Sequence, residues 1–169
     1  MPRTDFDALP EHGRVWVFPA SRRLNTEEEA ALLDEVDAFL DGWAAHGDPL
    51  LSGRSVVEGQ FLLVGVDEDA SRPSGCSIDA LVNRLEALAT GLGIRLVEHA
   101  PVWYRDGGGV RAVSREAFRE LAAAGTVTPE TRVFDTTLTR LADLRRGGLE
   151  RPAAESWHGR AFFRSRQAG

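Results

Sequence analysis

The fold of this chain is organised around eight residues that open its most clearly patterned helix, Arg72-Pro73-Ser74-Gly75-Cys76-Ser77-Ile78-Asp79. Proline and glycine favour a turn here, and both Ser74 and Ser77 are suited to cap a helix N-terminus. Apolar residues then recur at helical spacing, which predicts a buried face made of Ile78, Leu81, Val82, Leu85, Leu88 and Leu92. Gly91 and Gly93 mark the end of this helix. The only cysteine, Cys76, is therefore predicted to lie in its first turn.

The predicted position of Cys76 allows three interpretations. Free amide groups and the helix dipole favour anions, so Gly75, Cys76 and Ser77 are compatible with an anion-binding turn. The same field lowers the pKa of a thiol, so Cys76 is also compatible with a thiolate nucleophile. The third interpretation is a small buried apolar residue beside two capping serines. The sequence leaves all three open.

Length and composition predict an ordinary globular protein. The 169 residues fit one domain, or one domain with an appended subdomain, and 43% of them are hydrophobic. No apolar run approaches the roughly 20 residues that span a bilayer, and the N-terminus lacks the apolar segment of a signal peptide. A single cysteine excludes an intramolecular disulfide framework. We therefore expect a cytoplasmic protein that has no membrane partner.

Charge is unevenly distributed and excludes several chemistries. The net charge is −6, but residues 101–169 carry 12 arginines and 8 acidic residues, so the C-terminal part is basic. All 20 basic residues are arginine. The absence of lysine excludes a Schiff-base lysine and a P-loop lysine. No cofactor is expected, because the sequence contains no motif that would bind one.

The order of predicted elements favours a ferredoxin-like α+β core over residues 14–104. A strand at 14–18 precedes a helix that starts with a capping box at Thr26 and Glu29 and runs to about His46. A hairpin of strands at 50–57 and 61–66 follows, then the helix that contains Cys76, then strand material at 94–98 and 102–104. This is the βαββαβ order of ferredoxin-like folds.

Residues 105–169 are predicted to form a small α/β extension that packs on the core. The pattern indicates a hairpin ending at 110–113, a short helix capped by Ser114, a strand at 132–134 and a short helix near 138–144. Residues 145–155 have the composition of a surface loop. The end of the chain is aromatic, which predicts a tail packed against the body, Ser156-Trp157-His158-Gly159-Arg160-Ala161-Phe162-Phe163.

Five residue groups along the chain resemble an uncharacterised bacterial family of about this length: Arg14-Val15-Trp16, Trp43 with His46-Gly47 and Leu50, Ser74 to Asp79, Val133-Phe134, and Ser156-Trp157-His158. Members of that family often carry the automatic label of an ABC transporter ATPase. The resemblance does not imply ATPase activity here, because the chain has no P-loop and no lysine. The family commonly has an asparagine pair after its late Val-Phe, whereas this chain has Asp135-Thr136.

The leading functional hypothesis is a small-anion-binding or accessory protein. Its predicted ligand-binding residues surround the helix start, Ser74, Gly75, Ser77, Asp79, Arg14, Arg72 and Trp157. One alternative is an enzyme in which Cys76 is the catalytic nucleophile and His46 or His158 its base. A second alternative is a protein–protein interaction module that uses the basic, aromatic C-terminal region.

Metal and nucleic-acid binding are not expected. The four histidines, at positions 12, 46, 99 and 158, and the single cysteine have no short ligand spacing. The run Asp67-Glu68-Asp69 lacks the pattern of a calcium loop and is interpreted as a solvated turn. The isoelectric point near 5.3 disfavours nucleic acid, and residues 61–66 lack the aromatic motif of RNA-binding sheets.

Overall fold

The computed structural model describes residues 3–96 and 100–164, which form a mixed α+β structure in two compact units. The first unit contains Met1–Glu98 and Thr137–Arg145, and the second contains His99–Thr136 and Arg146–Gly169. This division differs from the boundary expected after residue 104. The segment 137–145 returns to the first unit, where the Val15 N–H donates to the Thr139 carbonyl and the Leu141 N–H donates to that of Gly13.

The first unit is built on a three-stranded antiparallel sheet. Its elements are β1 (Arg14–Pro19), α1 (Thr26–Asp41), β2 (Ala44–Ala45), β3 (Asp48–Pro49), β4 (Ser52–Val57), β5 (Phe61–Val66) and α2 (Gly75–Leu92). The strand order is β1-β5-β4, so that β5 is central, and every residue of β5 is buried. The position of β5 at the centre of the sheet therefore explains the hydrophobic run that predicts this strand.

Both helices contribute to one hydrophobic core with alternate residues of β5. The buried members include Leu32, Val36 and Leu40 of α1, Leu81, Leu85 and Ala89 of α2, and Leu62, Val64 and Val66 of β5. The apolar face predicted for α2 is confirmed, since Leu81 and Leu85 are buried and Val82, Leu88 and Leu92 pack partly buried against the core. The capping box of α1 lies one residue earlier than predicted, because Asn25 caps the helix and exchanges hydrogen bonds with Glu28. Arg22 holds Glu28 there and lowers the pKa of its carboxyl to about 2.

Helix α1 also ends earlier than predicted. It stops at Asp41, and residues 44–49 form a small hairpin whose turn is His46-Gly47. Both turn residues have positive φ, 52° at His46 and 84° at Gly47, which is the geometry that tight two-residue hairpins require. His46 therefore turns a hairpin and does not close the helix C-terminus.

The last predicted strands of the core are not part of the β1-β5-β4 sheet. Residues 94–96 adopt no strand, and the rest of the predicted strand at 94–98 lies outside the described residues. The strand predicted at 102–104 is β6 (Val102–Asp106), which belongs to the second unit. It pairs with strands that follow it in the chain, so the predicted six-element core is wrong at this strand.

The second unit is a four-stranded antiparallel sheet with helical segments. After β6 come β7 (Gly109–Val113), α3 (Arg115–Ala123), β8 (Arg132–Phe134), α4 (Leu141–Gly147), which begins in the first unit, and β9 (Glu150–Pro152). The strand order is β7-β6-β8-β9. The predicted loop at 145–155 is wrong, since it contains β9 and a 3-10 turn at Ala153–Glu155. A π-helical turn, Gly159–Phe163, follows.

The core of the second unit is aromatic. Phe118 of α3 is fully buried, and its ring contacts those of Tyr104, His158, Phe162 and Phe163. The aromatic tail thus packs within its own unit. None of the helices in the described residues has the length and apolarity of a bilayer-spanning helix.

Candidate functional site

The start of α2 is a completed helix cap, as the serines predict. Ser74 Oγ accepts the Ser77 N–H at 3.1 Å, and Ser77 Oγ accepts the Ser74 N–H at 2.7 Å. This reciprocal pair uses two of the amide groups that a helix start leaves without partners, so only those of Gly75 and Cys76 remain for an anion. Trp43 also stabilises this turn, because its indole N–H donates to the Ser77 carbonyl.

Cys76 and His46 lie on neighbouring elements of the first unit. Cys76 is exposed, which corrects the interpretation of a buried core cysteine. His46 is exposed in the β2–β3 hairpin, and β2 contacts α2. Within the described residues no hydrogen bond joins the Cys76 thiol to the His46 imidazole, so the proposed nucleophile–base pair stays a prediction.

The other predicted ligand-binding residues of the first unit have different surroundings. The Arg14 guanidinium lies over the Trp16 ring, 4.6 Å from its centroid, where it covers an aromatic surface. Arg72 and Asp79 are exposed on either side of the cap. The cap residues Ser74, Gly75 and Ser77 line neither the cavity between α1 and α2 nor the one beside Arg3 and Arg54.

His158 is enclosed in the second unit. Its side chain is 1% exposed, its ring stacks on Trp157 at a centroid distance of 3.9 Å, and its Nδ1 shares a 2.8 Å hydrogen bond with Ser156 Oγ. Burial lowers the pKa of the imidazole to about 4, while Asp135 acts in the opposite direction and Arg115 assists the lowering. The imidazole is therefore neutral at pH 7.

A cavity of about 770 Å³ opens beside this histidine within the second unit. We call it the Trp157 cavity; it is lined by Pro129, Asp135, Ala154, Glu155, Ser156, Trp157, Gly159, Arg160, Phe163 and Arg164. Its walls come from the residue after β8, the 3-10 turn and the π-helical turn. Its size lies within the range of small-molecule sites.

Three groups on the wall of the Trp157 cavity have unmet bonding capacity. Arg160 and Arg164 are exposed and form no ion pair with any described residue. The Trp157 indole N–H is buried and has no hydrogen-bond partner in the described part of the chain. A buried donor left unpaired costs about 1–3 kcal/mol, so Trp157 occupies its place beside the cavity at a cost in stability.

The geometry of the 3-10 and π-helical turns depends on one glycine. A Cβ at Gly159 would lie 2.9 Å from the Ala153 carbonyl oxygen and 3.2 Å from the Ala154 Cα, both backbone atoms that cannot yield easily. The two turns therefore approach each other more closely than any other residue allows. π-helical turns occur often at functional sites, and this one carries Arg160.

Sequence reasoning found part of this cavity. Trp157 and His158 were predicted site residues, but Asp135, Ser156, Arg160 and Arg164 were not. Arg160 and Arg164 are four residues apart and so lie near each other on a helical turn, a spacing that could have indicated a paired cationic face. No local pattern reveals that Asp135, more than twenty residues earlier, joins them.

Comparison with known proteins adds no assignment: no family model, no curated protein and no solved structure matches this chain.

Proposed function

We propose that this chain is a binding protein for a small organic anion and that the Trp157 cavity is its binding site. The observation that carries the proposal is that two exposed guanidinium groups without ion-pair partners line one cavity together with Trp157, whose buried indole N–H has no partner. Guanidinium groups recognise carboxylates and phosphates in a bidentate manner. Two carboxylates of the lining, Asp135 and the exposed Glu155, balance the formal charge of the two arginines, so the free guanidinium donors favour an anion and net charge does not.

The neutral state of His158 supports binding over catalysis at this cavity. A general base works best when its pKa lies near the working pH, and a pKa of about 4 leaves His158 a weak one. Its hydrogen bond to Ser156 instead fixes the serine hydroxyl at the cavity wall. The arrangement orients a polar group and does not activate it.

The start of α2 is the rival place for the anion. The amides of Gly75 and Cys76 and the helix dipole favour an anion there, but the capping box already uses the Ser74 and Ser77 amides. A cysteine-dependent enzyme also stays a prediction, resting on the exposed Cys76 thiol.

The protein–protein interaction module receives less support. Phe162 and Phe163 are buried in the aromatic core, so they are not a docking surface. Such a module would depend on exposed arginines alone. Deletion of residues 156–169 would remove core side chains and is expected to unfold the second unit.

We also propose a ferredoxin-like arrangement for the first unit. Its strands follow the order first, third, second, all antiparallel, and two helices share one core with them. Residues 94–96, where the fourth strand of that arrangement is expected, adopt no strand. Membership of the resembled bacterial family and a cytoplasmic location are likewise predictions.

The test is a titration followed by NMR on the tryptophan indole signals. Citrate and phenyl phosphate are suitable probes, because the first offers carboxylates to Arg160 and Arg164 and the second adds a ring for the aromatic wall. The indole N–H signal of Trp157 is expected to shift on binding. Arg160→Gln and Arg164→Gln should each weaken binding by about tenfold or more, since each removes a charge-assisted hydrogen bond.

The matched control is Arg111→Gln, which removes an exposed arginine that pairs with Asp106 and does not line the cavity. Its affinity for both probes should equal that of the wild type. Shifts confined to the Gly75 and Cys76 amides would place the anion at α2 and overturn the cavity. Absence of binding by both probes would overturn the proposed function.

A further inference from the structure

His12, Asp67 and Asp69 converge at one edge of the sheet in the first unit. His12 Nε2 lies 2.8 Å from an oxygen of Asp69 and 3.5 Å from an oxygen of Asp67. One ligand-capable atom from each of the three side chains can be chosen so that all lie within 4.8 Å of one another. The sequence does not predict a metal site here, because the histidines have no short ligand spacing and the acidic run is interpreted as a solvated turn.

The register between β1 and β5 brings these three residues together. In the antiparallel pair of β1 and β5, Arg14 lies opposite Val66, so the residues before β1 and those after β5 leave the sheet at the same edge. His12 precedes β1 by two residues, and Asp67 directly follows β5. Their separation of more than fifty residues in the chain conceals the pair from any search for short ligand spacing.

The backbone on both sides of the cluster is anchored. The carbonyls of Glu11 and Gly13 accept the N–H groups of Ala142 and Leu141, and the Asp67 N–H donates to the Leu51 carbonyl. A Cβ at Gly13 would lie 2.8 Å from the Val66 carbonyl oxygen, so only glycine lets the His12 turn sit this close to the end of β5. The imidazole is therefore held beside the turn that carries both aspartates.

The charge of the cluster favours a cation of more than one charge. Two carboxylates next to one imidazole leave a net negative charge even when the imidazole is protonated. The neighbouring cations are already engaged: Arg140 lies 3.6 Å from Glu68, and Arg145 lies 3.7 Å from Glu11. A simple ion pair would need only one of the two aspartates.

We propose that His12, Asp67 and Asp69 form a binding site for a divalent transition-metal ion such as Mn²⁺ or Zn²⁺. Ligand atoms around such an ion lie about 3.0–3.4 Å apart, which the side chains reach by moving less than about 2 Å. An imidazole with two carboxylates suits these ions better than Mg²⁺, which prefers oxygen ligands alone. Since the His12 and Asp69 side chains are more than half exposed, water fills the remaining coordination positions.

The site is independent of the anion-binding proposal, because all its residues belong to the first unit. The experiment is a titration of the full chain with Mn²⁺. Calorimetry measures the affinity, and NMR line broadening locates the ion. Mn²⁺ is the chosen probe because the exposed Cys76 thiol is a poor ligand for it. Broadening should centre on the amide signals of Gly13 and Asp67, and Mg²⁺ should bind more weakly.

His12→Ala and Asp67→Asn should each reduce Mn²⁺ affinity by about tenfold or more, because each removes one of three ligands. Two controls match them: Glu68→Gln neutralises the acid between the two aspartates, and His46→Ala removes an exposed imidazole elsewhere in the same unit. Both should bind Mn²⁺ within about twofold of the wild type. Circular dichroism verifies that each variant is folded. Equal affinity of His12→Ala and the wild type, or broadening centred elsewhere, would overturn the site.

Discussion

The two units of this chain place their described histidines in opposite ways. In the first unit the core consists of aliphatic residues with Phe18 and Trp43, and the groups with chemical capacity, Cys76, His46 and His12, are on the surface. In the second unit a histidine is buried among aromatic rings, beside the largely buried Asp135.

This difference indicates which unit carries a site that costs stability. Burial of an imidazole and of an unpartnered indole N–H opposes folding, and an apolar residue of similar size would avoid that cost. Such groups are often retained because they perform a function. The surface groups of the first unit cost little folding free energy. A site there is therefore indicated only where several such groups lie close together, as His12, Asp67 and Asp69 do.

The largest expected effect tests whether the two cores are separate. Phe118→Ala should cost about 3–5 kcal/mol of unfolding free energy, because it empties the centre of the aromatic core. Leu85→Ala, at a fully buried position of the first core, should cost about 2–5 kcal/mol. Hydrogen exchange measured by mass spectrometry should show lost protection mainly in the unit that carries each change. Equal loss in both units would show one cooperative core.

The next effect concerns pH and distinguishes the buried histidine from the surface ones. Because the folded-state pKa of His158 is about 4 and its ordinary value is 6.5, the unfolded chain binds this proton more tightly. Its contribution to stability is therefore complete above about pH 6.5 and falls by about 3 kcal/mol as the pH drops to 4.

His158→Asn should remove that part of the pH dependence, since asparagine keeps a polar partner for Ser156 and does not titrate. Urea denaturation of both proteins between pH 7 and 4.5 measures the difference. This range avoids most of the carboxylate effect, because Asp37 and Glu150, whose folded-state pKa values are lowered, lose their contribution only as the pH falls through the ordinary values of 3.8 and 4.5 and below. A parallel decline in both proteins would show that His158 is not buried in solution.

A third comparison uses one glycine from each unit. Gly159→Ala should destabilise the protein by about 1–3 kcal/mol, because its Cβ would meet backbone atoms of the neighbouring turn. Gly91→Ala in α2 should stabilise it by about 0.5–1 kcal/mol, because nothing lies within 4 Å of the new Cβ and alanine favours helix. Thermal melts give both values, and changes of the same sign would contradict the packing described for the π-helical turn.

The smallest effect is expected at Cys76. Because this residue is exposed at the start of α2, Cys76→Ser should change the unfolding free energy by less than about 0.5 kcal/mol. The thiol of the folded wild-type protein should react with iodoacetamide within about tenfold of its rate in denaturant. Complete protection of the folded protein would contradict an exposed cysteine and remove the contrast between the two units.

Local patterns in the sequence predicted much of the secondary structure. The apolar spacing and the serine cap of α2, the Ser114 cap of α3 and the strand β8 are confirmed. These features depend on residues within one or two turns of each other, which a linear reading can see. The errors at the end of α1 and at β9 arise where short segments with few apolar residues form strands through pairing partners.

The candidate sites were predicted less completely than the fold. Trp157 and His158 were recognised by their unusual place near the end of the chain, yet the burial of His158 and the arginine wall beside it were not. Metal binding by His12 together with Asp67 and Asp69 was not expected, because ligand spacing was judged along the chain. Each of these sites joins segments that are separated in sequence.

The sequence by itself determined the helices with their caps and buried faces, the hydrophobic central strand, and the absence of any lysine-based or P-loop chemistry. Only the tertiary structure decided that β6 joins the second sheet, that His158 is sealed among aromatic rings, and that His12 meets Asp67 and Asp69. The physical reason is range. Helix periodicity and capping act over a few residues, whereas strand register and burial depend on contacts between distant segments, and no single segment encodes them.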